Sequence, residues 1–243
     1  MLSPIPTNSL PFLRRHGSLI LTFILIGLTI ASPLADSSPA IGIILAAVVV
    51  SLFITGAAIY RNHKIMVRIL LPLCCLWFVF HALQVYTSNH YFFSFLAHAT
   101  GLTLSCITVA VQFRRLGSDT SAPVSVLAGA FNIYLIIAIA FSQIFWILNN
   151  EVPNAFNRYI PPEHNTDILY FSMVTITALG YGVIAPIDPF VRVVAALEGM
   201  VGIFYIAVVV ARVVASFHPF LNQVSTVTEE YREVVSTETL RYR

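Results

Sequence analysis

Apolar residues run through this chain in long, nearly unbroken blocks joined by short polar stretches, which is neither the alternation of a half-buried strand nor the one-sided stripe of an amphipathic surface helix. The blocks cover residues 18–31, 40–60, 66–86, 91–113, 124–148 and 190–217. A helix needs about 20 such residues to cross the hydrocarbon of a bilayer, so the pattern predicts six transmembrane helices in an all-α integral membrane protein. A further apolar run, Ile168 to Thr177, is about half that length and can enter a membrane only part way. It predicts a short re-entrant helix between the fifth and sixth spans.

Composition narrows the class. Of 243 residues, 58% are hydrophobic and 10% charged, a balance that excludes a soluble domain of this size. No basic run points to nucleic acid. Cys74, Cys75 and Cys106 sit in apolar blocks without metal-ligand or CxxC spacing, so they read as small packing residues. His164 lacks a ligand-spaced partner, and no metal site, organic cofactor or small-molecule substrate is expected. The absence of HExxH, GxSxG, P-loop and dinucleotide fingerprints argues against an enzyme.

Charge sets the expected topology. Arg14 and Arg15 precede the first block, Arg61, Lys64 and Arg68 surround the second join, and Arg114 and Arg115 follow the fourth block. Basic joins stay cytoplasmic. The joins at Asp36 and at Ser88 to His90 carry no Lys or Arg and are expected outside, which puts both termini in the cytoplasm of a cell-membrane protein. The run 18–31 with its basic flank also fits a cleaved signal peptide; a retained first span makes the later topology work. The expected division is a leader at 1–16, a four-helix membrane domain at 17–115, a pore-like domain at 123–217 and a cytoplasmic tail at 218–243. In the tail, Val224, Val227, Tyr231 and Val234 fit either a short bundle or a frayed amphipathic helix.

The stretch from Asp167 to Pro186, DILYFSMVTITALGYGVIAP, is where these features converge. Gly180-Tyr181-Gly182 directly after the half-length helix predicts positive φ and irregular backbone. At membrane depth such backbone is tolerated only inside protein or along a watery path. The alternative is a tight external turn beside a partly buried helix. Phe171, Ser172, Thr175, Thr177, Gly180, Tyr181, Gly182 and Pro186 together resemble the pore loop of tetrameric potassium channels, over roughly residues 124–217. The resemblance implies a homotetramer in lipid whose selectivity filter, Thr177, Ala178, Leu179, Gly180, Tyr181 and Gly182, presents carbonyl oxygens to permeant potassium ions. The family's usual filter reads Thr-Val-Gly-Tyr-Gly-Asp. Ala178 here removes a hydroxyl ring, Leu179 replaces valine, and Val183 stands where an acidic residue normally hydrogen-bonds behind the outer mouth, with Val174 at the position of its usual glutamate partner.

Other residues acquire expected roles around that loop. The segment Phe145-Trp146-Ile147-Leu148 ends the fifth span and is expected at the external interface. The polar turret, 149–166, carries Glu151 and Glu163, with Asp167 just after it and Arg158 as its lone basic residue. That charge fits either cation attraction at the mouth or a solvated loop. Asp188-Pro189 should start the last helix as N-cap and first helical residue. Within that helix, Gly199 and Gly202 read as a hinge, a close-packing surface or both, and Gly202 aligns with the family's hinge glycine. Glu198 is ionisable inside a span, where an unpaired charge costs about 2.5 to 3.5 kcal/mol. It should be protonated or partnered, by the pore helix or a neighbouring subunit through Ser172 or Thr175, with support of the filter as the expected role.

The fourth block, 91–113, contains no arginine, so intrinsic voltage sensing by that helix is not expected. His81 and His98 could sense pH or simply be satisfied by neighbours, and Arg212 fits snorkelling toward the cytoplasmic face. The reading is a potassium-selective channel. The alternatives are a weakly selective cation channel and a non-conducting regulatory membrane subunit.

Overall fold

In a computed structural model of the chain, residues 10–59, 64–86, 90–118, 123–162 and 164–212 are described. The helices are α1 Leu10–Ser37, α2 Pro39–Ile59, α3 Lys64–Tyr86, α4 His90–Ser118, α5 Pro123–Glu151 and α6 Asn165–Ile176, followed by α7, Pro189–Arg212. No strand occurs among the described residues, only the isolated bridge between Phe156 and Pro186. The stretches Ser18–Asp36, Tyr91–Arg114, Val126–Glu151 and Pro189–Arg212 are long and apolar enough to cross a membrane, while α2 and α3 carry the shorter apolar stretches Ala40–Val50 and Leu70–Gln84. The architecture is that of an all-helical integral membrane protein. Residues 1–9, the joins holding Arg61 and Ser88, Glu163, and the tail from residue 213, with Val224, Val227, Tyr231 and Val234, lie outside the described residues.

Helices α1 to α5 each pack on their neighbours in sequence, and α1 returns to pack on α5 and α6. The first block is therefore built into the same bundle as the later ones. Buried Ala128, Ala130, Ala138 and Ala140 of α5 keep its surface shallow, which allows close helix approach. The fully buried Asn132 of α5 donates to the Ser18 carbonyl at 3.0 Å. Within α1, Pro33 cannot supply the amide that would bond the Thr29 carbonyl. The Ser32 hydroxyl donates to that carbonyl instead, at 2.8 Å, so the helix continues.

The core gathers at one end of α5. Phe145, Trp146, Phe156, Ile160, Ile168, Phe171, Ile184 and Val191 form one buried cluster. Phe171 meets Phe145 and Phe156 edge-on with ring centroids 4.9 and 5.0 Å apart, a geometry worth about 0.5–1.5 kcal/mol per pair beyond area burial. Phe145 and Trp146 are thus core residues and not the interfacial aromatics their position suggested, because the turret folds over them. The Trp146 indole donates to the Pro162 carbonyl at 2.9 Å, and Asn149 donates to the Ile160 carbonyl at 2.9 Å. Since the cluster draws on both α6 and the segment after residue 183, it clamps the two ends of the intervening loop.

Candidate functional site

The short helix α6 begins at Asn165, slightly before the apolar run it was read from, and His164 at its N-cap supplies no side-chain hydrogen bond. The cap comes from 130 residues away: Asp36, near the end of α1, accepts from the Thr166 amide at 3.1 Å. A carboxylate there satisfies a free amide and meets the positive end of the helix dipole. Asp167 in the first turn pairs with Arg158 of the turret, and Glu151 accepts from the Tyr91 hydroxyl of α4. These turret charges are partnered within the subunit.

The two scaffold histidines are also partnered. His98 of α4 hydrogen-bonds Gln143 of α5 and stacks on Trp146 at 3.9 Å. His81 bonds Gln84 at 2.9 Å and stacks on Trp77. Through Asp36, Tyr91 and His98, helices α1 and α4 therefore touch α6 and the C-terminal end of α5.

At its C-terminal end α6 gives way to irregular backbone. Thr177 remains right-handed helical and its hydroxyl donates back to the Met173 carbonyl at 2.7 Å. Then Ala178, Gly180 and Gly182 take φ of +55, +59 and +77°, with Leu179 and Tyr181 between them on the ordinary negative side. The predicted positive φ at both glycines is present. The amides of Ala178, Leu179 and Gly180 are turned inward, to the carbonyls of Thr175 at 3.0 Å and of Val174 at 3.0 and 3.5 Å. No donor among the described residues reaches the carbonyls of Ala178, Leu179, Gly180, Tyr181 or Gly182. Left-handed backbone at Ala178, which carries a Cβ, costs about 1–2 kcal/mol and had no signal in the sequence.

The outer limb of the loop is tied to the turret. The Asn157 amide donates to the Ala185 carbonyl and the Ile187 amide to the Ala155 carbonyl, both at 2.9 Å. The Asn157 side chain adds two bonds, accepting from the Ala185 amide at 3.0 Å and donating to the Val183 carbonyl at 3.4 Å. Sequence reading missed Asn157, which supplies a polar tether beside Val183, where the resemblance led one to expect a carboxylate. Asn157→Ala is expected to cost about 1 kcal/mol and to speed hydrogen exchange at the Ala185 amide, with exchange in α5 unchanged.

Helix α7 starts as its sequence predicted: Asp188 Oδ1 accepts from the Phe190 and Val191 amides at 2.8 and 3.2 Å. One face then lies against α6. Glu198 is fully buried, and its Oε1 sits 2.5 Å from the Ser172 hydroxyl oxygen, which also lies 2.7 Å from the Ala138 carbonyl of α5. Ser172 is thus the pore-helix partner. Thr175 instead returns its hydroxyl to the Phe171 carbonyl at 2.8 Å. One turn on from Glu198, Gly202 presses against the end of α6. A Cβ there would stand 2.1 Å from the Ile176 carbonyl oxygen, whereas one on Gly199 would stand 3.7 Å from that of Thr175. The same Ile176 carbonyl accepts from the Tyr134 hydroxyl at 2.9 Å.

A half-length helix thus gives way to irregular backbone whose carbonyls accept no hydrogen bond among the described residues, and it packs between two long apolar helices. Residues 133–218 match a family described as ion channel. Over 88 residues the chain is 31% identical to the potassium voltage-gated channel protein shk-1 of Caenorhabditis elegans, a stretch covering 36% of this chain and 16% of that protein. No solved structure matches. The family match covers 86 of 243 residues, from within α5 to just past α7. The likeness to ion channels therefore concerns this segment, and the chain spans 16% of the length of that relative. Helices α1 to α4 lie outside the family match.

Proposed function

We propose that four copies of the chain assemble around an axis and conduct potassium ions passively between the loops from Thr177 to Gly182. The observation that carries this is the run of carbonyls from Ala178 to Gly182, free of donors among the described residues, on backbone of alternating hand. Such oxygens can replace an ion's hydration shell. Pore-helix C-termini add the negative end of a dipole below them.

Assembly has separate support. In the lone subunit Leu179 and Tyr181 are 56% and 65% exposed, and α7 exposes Phe190, Val193, Leu197, Ile203 and Phe204. An apolar surface of that extent needs covering by lipid or by other subunits. Glu198 and Ser172 support the loop from behind, and Gly202, with Gly199, serves as the contact about which α7 bends. The orientation proposed is both termini cytoplasmic in the cell membrane, from the basic joins, and the arginine-free run 91–113 in α4 does not sense voltage.

Weaker selectivity is the second reading, favoured by Ala178 and Val183 at the two ends of the filter. Purified protein in liposomes with potassium and sodium on opposite sides distinguishes the two. A reversal potential that follows the potassium gradient supports selectivity. One that ignores exchange of the two ions supports the weakly selective reading, and no flux at all removes the channel proposal.

A further inference from the structure

We propose that Glu198 is a proton-binding site, its carboxyl holding one proton per subunit and donating it to Ser172. Ser172 Oγ lies 2.7 Å from the Ala138 carbonyl and 2.5 Å from Glu198 Oε1. A carbonyl has no proton and a serine hydroxyl has one. Two contacts between oxygens at these distances need two protons, since otherwise lone pairs face one another. The second can come only from Glu198. The chain is then Glu198 carboxyl to Ser172 hydroxyl to Ala138 carbonyl, running from α7 through α6 to α5 with every donor used.

The surroundings agree. Glu198 Oε2 is buried and has no hydrogen-bond partner. As the carbonyl oxygen of a neutral acid this costs about 1–3 kcal/mol, whereas an ionised carboxylate so placed costs far more. No described side chain provides a compensating cation. On α5, Tyr134 donates to the Ile176 carbonyl and Ser142 to the Ile139 carbonyl. On α6, Thr175 bonds its own helix and Asp167 pairs with Arg158. On α7, Tyr205 donates to the Ala130 carbonyl and Arg192 to the Pro186 carbonyl. At about 1.5 Å rise per residue, Arg192 and Arg212 stand roughly 9 and 21 Å along the helix from Glu198.

Losing the proton breaks one contact and reverses the other. Ser172 turns its hydrogen to the carboxylate, the Ala138 carbonyl loses its donor, and a buried anion remains between three helices. Because Gly202 meets the end of α6 one turn further on, separation at Glu198 loosens the contact beneath the filter loop. At neutral pH the folded protein holds a proton that an ordinary unfolded glutamate has already released by about pH 5, so stability falls as pH rises. The effect on conduction rests on the proposed channel function; the proton itself does not.

Infrared difference spectra of the full-length protein in liposomes test the site. The expected result is a carbonyl band of a protonated carboxyl at neutral pH that disappears in Glu198→Gln and fades in the native protein at alkaline pH. The melting temperature should drop with rising pH in the native protein and stay flat in Glu198→Gln, whose amide still donates to Ser172. Ser172→Ala, which keeps the carboxyl but removes its acceptor, should shift the band and covers the case in which Glu198→Gln does not fold. A neutral-pH spectrum in which neither substitution alters a protonated-carboxyl band overturns the proposal. Altered flux in Glu198→Gln would link the site to conduction. An unaltered flux with the band present leaves the proton site standing and removes only the coupling.

Discussion

Gly202→Ala is expected to separate α7 from α6 and to destabilise the protein by about 1–3 kcal/mol or more, the range for added atoms in a filled core. The added methyl carbon would lie 2.1 Å from the Ile176 carbonyl oxygen and 2.9 Å from that residue's side chain. The oxygen cannot yield easily. It belongs to the last residue of α6, and the Tyr134 hydroxyl, itself stacked on Tyr205, holds it at 2.9 Å. Relief must come from movement of α7. Gly199→Ala is the matched control, one turn away on the same helix. Its new carbon meets the Thr175 carbonyl at 3.7 Å, an ordinary contact, and alanine favours a helix interior by about 0.8–1 kcal/mol over glycine. It should be neutral or slightly stabilising. Melting temperatures of the two variants in detergent decide the matter: equal effects would mean that only helix propensity distinguishes these glycines, and that the close approach does not constrain the fold.

The contrast shows what the chain disclosed and what it concealed. Long apolar blocks and one half-length run gave the helices, because burial in lipid imposes length and composition on each segment separately. The Asp188-Pro189 cap and the left-handed glycines at 180 and 182 were legible for the same reason: each is dictated by its own residue and immediate neighbours. Ser172 could be paired with Glu198 only as one of two candidates, since a buried acid demands a partner but does not say which. The contacts that support the loop from further away left no trace. Asp36 caps a helix 130 residues later, and Asn157 in a polar turret looked like any solvated asparagine. Phe145 and Trp146 looked interfacial, because nothing local announces that the turret closes over them. Ala178 gave no warning of its φ, because tertiary restraint imposes that angle on a residue that does not favour it.

That restraint supplies the second large prediction. Gly180→Ala is expected to abolish conduction, and Ala178→Gly to preserve it. At Gly180 φ is +59°, and among the described residues, its two chain neighbours aside, no atom lies within 4 Å of the point where a Cβ would stand, so the penalty against them is purely backbone. It is about 1–2 kcal/mol. In the proposed tetramer the strain would be repeated in each of the four loops and would displace the Gly180 carbonyls from the proposed ion path. Ala178 already bears a comparable strain at φ +55°. Replacing it with glycine removes that strain but enlarges the freedom of the unfolded chain by about 0.4–1 kcal/mol, so stability should hold or rise slightly. Conduction should survive because coordination is assigned to the main-chain oxygen, which the substitution leaves in place. Potassium flux in liposomes, measured beside the melting temperature, separates these effects. Loss of flux in Ala178→Gly without loss of stability would show that the alanine methyl, and not the carbonyl ring alone, shapes the ion path.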